Sequence, residues 1–322
     1  MRAIRVTANG GPEVLEETEA KAPEPGSGQL LVRVAAAGVN FIDTYQRSGI
    51  YSMQLPFIPG SEGAGEVIAV GPDVTGHSVG DRVAWASAPG SYAEQVLVPA
   101  GQAVAVPDGV DQRTAAAAML QGLTAHYLVT STYPIRTGET ALVHAAAGGM
   151  GLLLTQLIKS RGGNVLGTVS TGEKEKLARQ AGADEIIRYT EADIAAEVDD
   201  LTDGRGVDVV YDGVGKSTFD ASLASLRPRG MLVLFGAASG PVPPLDPQKL
   251  NSAGSVFLTR PSLGHHLLTR KELEWRAGDL FSWIGSGALT IRIGATYSLG
   301  EARSAHEDLE GRRTTGKVLL IP

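Results

Sequence analysis

Apolar and polar positions along this chain follow two different periods. Up to about residue 120 the period is two and comes in short runs: Gln29-Leu-Leu-Val-Arg-Val-Ala35, Gly65-Glu-Val-Ile-Ala-Val70, Asp81-Arg-Val-Ala-Trp85 and Tyr92-Ala-Glu-Gln-Val-Leu-Val98. Glycine and proline punctuate these runs, so each predicts a half-buried strand, and together they predict a β-rich domain built as a partly closed barrel. Asp111 to Leu120 then predicts a helix with Asp111 as its N-cap, and Gly122 to Thr132 a second helix that crosses into the next domain.

From Thr140 onward, continuous apolar strands alternate with helical periods. Thr140-Ala-Leu-Val143 reads as a strand, the small residues up to Gly151 as a tight turn, and Leu153, Gln156, Leu157 and Ser160 recur at helical spacing before a second strand, Asn164 to Val169. Lys174 to Ala181 and Lys216 to Leu226 read as helices. Glu185-Ile-Ile187, Val207-Asp-Val-Val-Tyr211, Met231-Leu-Val-Leu-Phe235 and Ser255-Val-Phe-Leu-Thr259 read as strands. This order predicts a doubly wound parallel sheet covered on both faces, with ligands beyond the carboxyl ends of its strands. Ser255–Thr259 comes last and is expected at a sheet edge. An apolar edge needs cover, which predicts a homodimer that buries Val256 and Leu258. The tail adds helices near Thr269–Gly285 and Gly300–Glu310, and a strand, Lys317-Val-Leu-Leu-Ile321, that has no place in the doubly wound sheet and is expected to return to the first domain. The domains are read as 1–124 completed by 264–322, and 125–263.

The turn after Val143 carries chemistry. Ala146-x-Gly148-x-x-Gly151 is a variant of the dinucleotide fingerprint, with alanine at its first position. Gly148 lets the backbone approach a pyrophosphate, Gly151 lets the helix pack on the strand, and the helix N-terminus supplies free N–H groups. The competing reading is that these glycines serve packing alone. Past the second strand, an NAD site would place an acid on the ribose hydroxyls, but here Thr168-Val-Ser-Thr-Gly172 offers none before Glu173. Ser170, Lys174 and Tyr189 suit a 2′-phosphate instead, which predicts NADPH.

Composition narrows the classes. A chain of 322 residues suits two domains, and a net charge of −7 disfavours nucleic acid. With no cysteine there is no disulfide, thiol nucleophile or thiolate-bound zinc, and the six histidines show no ligand spacing, so no metal is expected. No apolar run is long enough to span a membrane, and Met1-Arg-Ala-Ile-Arg-Val lacks a signal-peptide core, so the expected location is cytoplasmic. His144 reads as a buried, hydrogen-bonded histidine, His265-His266 as a surface feature.

Several stretches carry a resemblance that spans the whole chain in order: Gly10-Gly-Pro-Glu-Val-Leu15, Ala36-Ala-Gly-Val-Asn-Phe-Ile-Asp-Thr-Tyr45 with Arg47-x-Gly49-x-Tyr51, Pro59-Gly-Ser-Glu-Gly-Ala-Gly65 and Gly80-Asp-Arg-Val83. Further along come His144-Ala-Ala-Ala-Gly-Gly-Met-Gly151, Gly167-Thr-Val-Ser-Thr171, Thr259-Arg-Pro-Ser-Leu263 and Thr315-Gly-Lys317. Jointly they resemble the medium-chain dehydrogenase/reductase superfamily and, within it, the quinone oxidoreductase or zeta-crystallin family. The resemblance implies a GroES-like catalytic domain, a Rossmann domain binding NADPH, and hydride transfer to a quinone in a cleft between them. Where zinc-dependent members carry ligands, this chain has Asn40 and Ser61, which implies a zinc-independent reductase. Asn40 and Tyr45 are implied as catalytic groups that also touch the cofactor, and Tyr51 and Arg260 as substrate-binding. For the cofactor the resemblance implies Thr124, Ala147, Gly148, Gly149, Met150, Gly151, Ser170, Lys174, Tyr189, Gly213, Phe235, Gly236 and Ser239, with Arg312 and Lys317 from the tail, where a basic residue is ordinarily solvated. The same fold and cofactor would serve reduction of enal or enone C=C bonds, and a non-catalytic NADPH-binding or RNA-binding role is a third reading.

Overall fold

The computed structural model describes residues 1–322, and two compact units divide them: Met1–Leu123 with Leu268–Pro322, and Thr124–Leu267. In chain order the first unit contains β1 (Arg2–Arg5), β2 (Glu16–Glu19), β3 (Gln29–Val39), α1 (Phe41–Ser48), β4 (Glu62–Val70), β5 (Arg82–Trp85), β6 (Gln95–Pro99) and β7 (Val104–Ala105). Helix α2 (Gln112–Tyr127) leads into the second unit. There follow β8 (Thr140–Val143), α3 (Gly149–Ser160), β9 (Asn164–Val169), α4 (Gly172–Gln180), β10 (Glu185–Arg188), α5 (Ile194–Leu201), β11 (Val207–Asp212), α6 (Phe219–Ala224), β12 (Leu226–Leu234), α7 (Gln248–Ser252) and β13 (Phe257–Thr259). The first unit resumes with α8 (Arg270–Gly285), β14 (Ile293–Ser298), α9 (Ala302–Glu310) and β15 (Lys317–Ile321).

The first unit is organised on β3. Its first half pairs with β6 (Leu31↔Leu97), its last residues pair with β15 (Leu319↔Gly38), and β4 runs along most of its length. The seven-stranded sheet therefore has the order β14-β15-β3-β4-β5-β7, with β6 also on β3. The tail strand returns to this sheet as its apolar run and position predict. Inward residues of these strands, Val32, Val34, Val39, Trp85, Val318 and Leu320, make the core with Tyr92 and with Ala302 and Ala305 of α9.

The second unit is a six-stranded parallel sheet in the order β10-β9-β8-β11-β12-β13. Strand order reverses between β8 and β11, which makes their carboxyl ends the topological switch point. Leu142, Leu166, Val210 and Leu232 from neighbouring strands meet Phe219 and Leu223 of α6 in its core.

Several expectations are corrected. The two helices read on either side of Gly122 are one helix, closed by a wider π turn over Leu128–Thr132. Gly122 sits inside it because a Cβ there would lie 2.7 Å from the Leu280 side chain of α8, so this glycine serves packing rather than a break. Asp111 does cap the helix, with Oδ1 accepting from the N–H groups of Arg113 and Thr114 at 2.9 and 3.0 Å. Strand β13 is an edge strand, but Val256 is already in the core, and the side chain left outside is Phe257, 58% exposed. Helix α5, capped by Asp193, and strand β14 lay outside the sequence reading. No helix is long and apolar enough to cross a membrane.

Candidate cofactor and acceptor sites

At the switch point, β8 gives way to a turn in which Ala145 takes a left-handed φ of 52°. Gly148 is the N-cap of α3, and its N–H closes the turn on the Ala145 carbonyl at 2.8 Å. The tight turn thus falls on Ala145, one residue before the alanine of the fingerprint. Ala146 and Ala147 are buried, and Gly167 of β9 makes room for Ala146, since a Cβ there would come within 2.8 Å of the Ala146 Cβ. At Gly151 a Cβ would overlap the Ala145 carbonyl oxygen and lie 2.6 Å from the Ala146 Cα, so only glycine lets α3 begin so close to the strand. Gly149, Met150 and Gly151 form the first helical turn, whose N–H groups have no carbonyl one turn back to donate to. They are available to an anion.

At the end of β9, Lys174 Nζ donates to Ser170 Oγ at 3.4 Å, while Thr171 caps α4 by accepting from the Lys174 N–H. Tyr189 follows β10, its N–H on the Val169 carbonyl at 3.2 Å, and Thr190 Oγ1 donates to the Ser170 carbonyl at 3.3 Å. The structure thus gathers Ser170, Lys174 and Tyr189 at neighbouring strand ends with no carboxylate on residues 170–172. Arg188, absent from the sequence reading, lies beside them, held by Glu175 at 2.8 Å and Glu191 at 3.1 Å. Its position at a strand end was the available signal.

Gly213 and Gly236 end β11 and β12 back to back. A Cβ on Gly236 would overlap the Gly213 carbonyl oxygen, and one on Gly213 would lie 2.8 Å from the Phe235 ring. The Ser239 hydroxyl accepts from the Ser217 N–H at 2.9 Å and donates to the Val214 carbonyl at 2.8 Å, so it staples this turn. Thr124 is buried in α2. Arg260, exposed beyond β13, donates to the Pro261 carbonyl at 3.4 Å, and Arg312 is exposed in the left-handed conformation before β15.

The first unit holds a different arrangement. Asn40 is the N-cap of α1 in a capping box: its N–H donates to Asp43 Oδ2 at 2.8 Å. Its side chain is buried as well, with Nδ2 donating to Glu62 Oε2 at 2.8 Å and Oδ1 accepting from Lys317 Nζ at 2.7 Å. Lys317 also pairs directly with Glu62, whose other oxygen accepts from the Leu120 N–H at 2.6 Å. Lys317 is therefore not a solvated basic residue of a terminal loop; it opens β15, is 1% exposed, and its charge is matched inside the protein. Gly38 makes this possible, because a Cβ on it would overlap Glu62 and lie 2.8 Å from Lys317 Cε.

One turn into α1, Tyr45 is half-buried and packs edge-to-face on Tyr51 at 5.5 Å, with Phe41 behind it at 6.3 Å. Tyr51 is 43% exposed and is followed by exposed Leu55. From the other side of α1, the Tyr92 hydroxyl donates to Asp43 Oδ2 at 2.9 Å and meets His306 Nε2 at 3.1 Å, and Arg47 Nη1 meets His306 Nδ1 at 3.0 Å. A guanidinium only donates, so His306 accepts at Nδ1 and carries its hydrogen on Nε2. Burial, and then the Arg47 charge, lower the His306 pKa to about 3, while burial raises Asp43 to about 7. Of the residues in this unit's site, Asn40, Tyr45, Tyr51 and Lys317 are anticipated by the sequence, whereas Asp43, Glu62, Tyr92 and His306 are not. The spacing Asn40-x-x-Asp43 is a local capping signal, but nothing local points to Tyr92 or His306. No three His, Cys, Asp or Glu side chains form a group that would hold a metal ion.

Comparison with known proteins adds to this geometry. Residues 26–108 match the alcohol dehydrogenase GroES-like domain family, and residues 149–281 the family described as zinc-binding dehydrogenase. The quinone oxidoreductase of Pseudomonas aeruginosa is 49% identical over 100% of this chain and 99% of its own length. A 2-haloacrylate reductase from a Burkholderia species is 41% identical over 99% of this chain and 98% of its own. Among solved structures, a mycobacterial protein in complex with NADPH superposes with a TM-score of 0.97 at 56% identity, covering 100% of both chains.

Proposed function

The chain belongs to the quinone oxidoreductase family of medium-chain dehydrogenases/reductases, and on that premise we propose that it reduces quinones with NADPH. The observation that carries the reading is the pairing of two features in one unit: a switch-point turn that tolerates only glycine at 151, and an acid-free strand end bearing Ser170 and Lys174. NADPH, when bound, supplies the hydride. Gly149 to Gly151 hold its pyrophosphate through N–H groups, with Gly148 letting the backbone come close, and Ser170, Lys174 and Tyr189 hold the 2′-phosphate. Thr124, Gly213, Phe235 and Gly236 frame the remainder through backbone and small surfaces.

On the acceptor side the residues have little covalent work to do. Tyr45 donates a hydrogen bond to the acceptor oxygen as charge develops there, and the Tyr45–Tyr51 pair offers an aromatic face to a flat ring. Asn40 fixes the start of α1, and hence the placement of Tyr45, through its capping box and its bonds to Glu62 and Lys317. The proposal includes a cytoplasmic location, as the sequence leads one to expect.

NADPH consumption measured against 1,4-benzoquinone, phenanthrenequinone and a short 2-alkenal tests the reading. Turnover fastest with the quinones is the expected result; tight NADPH binding with no oxidation by any acceptor overturns it. Fastest turnover with the alkenal would favour reduction of an activated C=C bond, a reading supported by the 2-haloacrylate reductase among the relatives.

The proposal extends to a homodimer joined along β13. Its edge position and the exposed Phe257 ring support this, because an unpaired edge carrying an apolar ring calls for a partner strand. Light scattering at micromolar concentration is expected to give the mass of two chains, and Phe257→Lys to shift it towards one; a wild-type monomer overturns the dimer.

A further inference from the structure

Between the turn at Ala145 and the turn at Gly213–Gly215 runs a polar chain that the chemistry above does not use. Thr168 of β9, His144 just past β8, Ser222 of α6 and Asp212 at the end of β11 are all buried. The Ala145 N–H donates to Thr168 Oγ1 at 3.3 Å, and that oxygen lies 3.1 Å from His144 Nδ1. His144 Nε2 lies 2.9 Å from Ser222 Oγ, which donates to Asp212 Oδ2 at 2.7 Å. The other Asp212 oxygen accepts the N–H groups of Val214 and Gly215 at 2.8 and 2.9 Å.

The carboxylate only accepts, and this fixes every hydrogen in the chain. Ser222 gives its hydrogen to Asp212 and so accepts from His144 Nε2–H; the imidazole then accepts at Nδ1 from Thr168, whose oxygen is left to receive Ala145. Burial lowers the His144 pKa and keeps the neutral ring that this order needs, against the opposing charge of Asp212. Serine, histidine and aspartate are not arranged here for nucleophilic attack, because the serine hydrogen is directed to the carboxylate and not to the imidazole.

We propose that this chain is a positioning device for the dinucleotide, with His144 as its central positioning residue, setting the two switch-point turns as one unit. The inference rests on the NADPH reading above. At one end the chain anchors the N–H of Ala145, a non-glycine residue held in the left-handed conformation that the turn before α3 requires. At the other end Asp212 holds the turn that begins with Gly213 and Gly215, packed on Phe235 and Gly236. The chain steps across β9, β8 and β11, three neighbouring strands spanning the point where strand order reverses.

A double-mutant cycle tests it, with NADPH and NADH binding followed by calorimetry on the full chain. Thr168→Val and Ser222→Ala do not touch one another's site, yet each is expected to weaken NADPH about tenfold, and the double variant hardly more than either alone. NADH should weaken by the same factor, since the 2′-phosphate pocket is intact, and kcat at saturating NADPH should stay within about twofold while KM rises. Thr168→Ser, which keeps the hydroxyl, should bind like the wild type, and His144→Phe, which cuts both halves, should match the double variant. Losses that multiply to about a hundredfold, or single variants with unchanged affinity, overturn the chain and leave the NADPH reading standing. Wild-type protein that binds no NADPH sinks that reading, and this inference with it.

Discussion

His306 and His144 are both buried histidines, one in each unit, and the groups around them differ in how charge is met. In the first unit charge faces charge beside a neutral His306: Arg47 binds Glu310 at 2.8 Å, and Lys317 binds Glu62. In the second unit the carboxylate of the His144 group, Asp212, is met by two backbone N–H groups and the hydroxyls of Thr218 and Ser222. A charge paired with another charge is exposed to truncation and to pH, because losing one partner strands the other in a medium of low polarity. A charge paired with amides fixes the backbone that carries them. The first arrangement should therefore fail through stability, and the second through the geometry of a turn.

The largest expected effect follows directly. Glu62→Gln leaves the Lys317 ammonium buried without a counter-ion and should cost about 3–5 kcal/mol in denaturant unfolding. Asp212→Asn, which keeps an acceptor for the amides, should cost about 1–3 kcal/mol. Equal costs would erase the contrast.

The next effect is the response to pH. His306 titrates at about 3 when folded against its ordinary 6.5, so the stability tied to its neutral form is complete above pH 6.5 and is lost as pH falls toward 3. Asp43 titrates at about 7 against 3.8, so its contribution is present below 3.8 and is lost as pH rises through 7. Between pH 7.5 and 5 the two slopes oppose each other, each amounting to about 2–3 kcal/mol. Thermal melts should show His306→Gln gaining stability on acidification relative to the wild type, and Asp43→Asn losing it. Parallel curves for all three would mean that neither group changes charge between the folded and unfolded states.

Smaller effects separate cofactor from acceptor. Lys174→Ala should weaken NADPH about ten- to a hundredfold, the value of one charge-assisted bond to phosphate, and leave NADH almost untouched. Equal loss of both cofactors would make Lys174 structural. Tyr45→Phe should give the opposite split: turnover down about tenfold, with NADPH affinity unchanged. An unaltered rate with several quinones, where hydride transfer limits, would leave Tyr45 a packing residue beside Tyr51.

Much of this was legible in the sequence because the signals are local. The parallel sheet showed in apolar strands alternating with helices, and the return of β15 to the first unit in a strand that the doubly wound sheet had no room for. Gly151 could be read as a close-packing glycine from its place in the fingerprint. What stayed hidden was set by partners far apart in the chain. Lys317 looks like a tail residue until β15 lies beside β3 and Gly38 opens the space for its pair with Glu62. His306 shows no spacing to anything, since its partners, Arg47 and Tyr92, are more than 200 positions away. Gly122 misled in the other direction: a helix breaker by propensity, it is retained inside α2 because Leu280 leaves no space for a side chain.

Strand β3 draws its neighbours from both ends of the chain, β4 and β6 from the early part and β15 from the last, while the whole second unit is spelled out between them. On the ribosome this imposes a schedule. Residues 124–267 form an uninterrupted sequence and can complete their sheet as soon as they emerge, whereas the first sheet must wait for residue 317 and until then displays the open edge of β3 and an unmatched Glu62. The half of the molecule that is translated first is the half that finishes last, and its nascent form is where a chaperone would find something to hold.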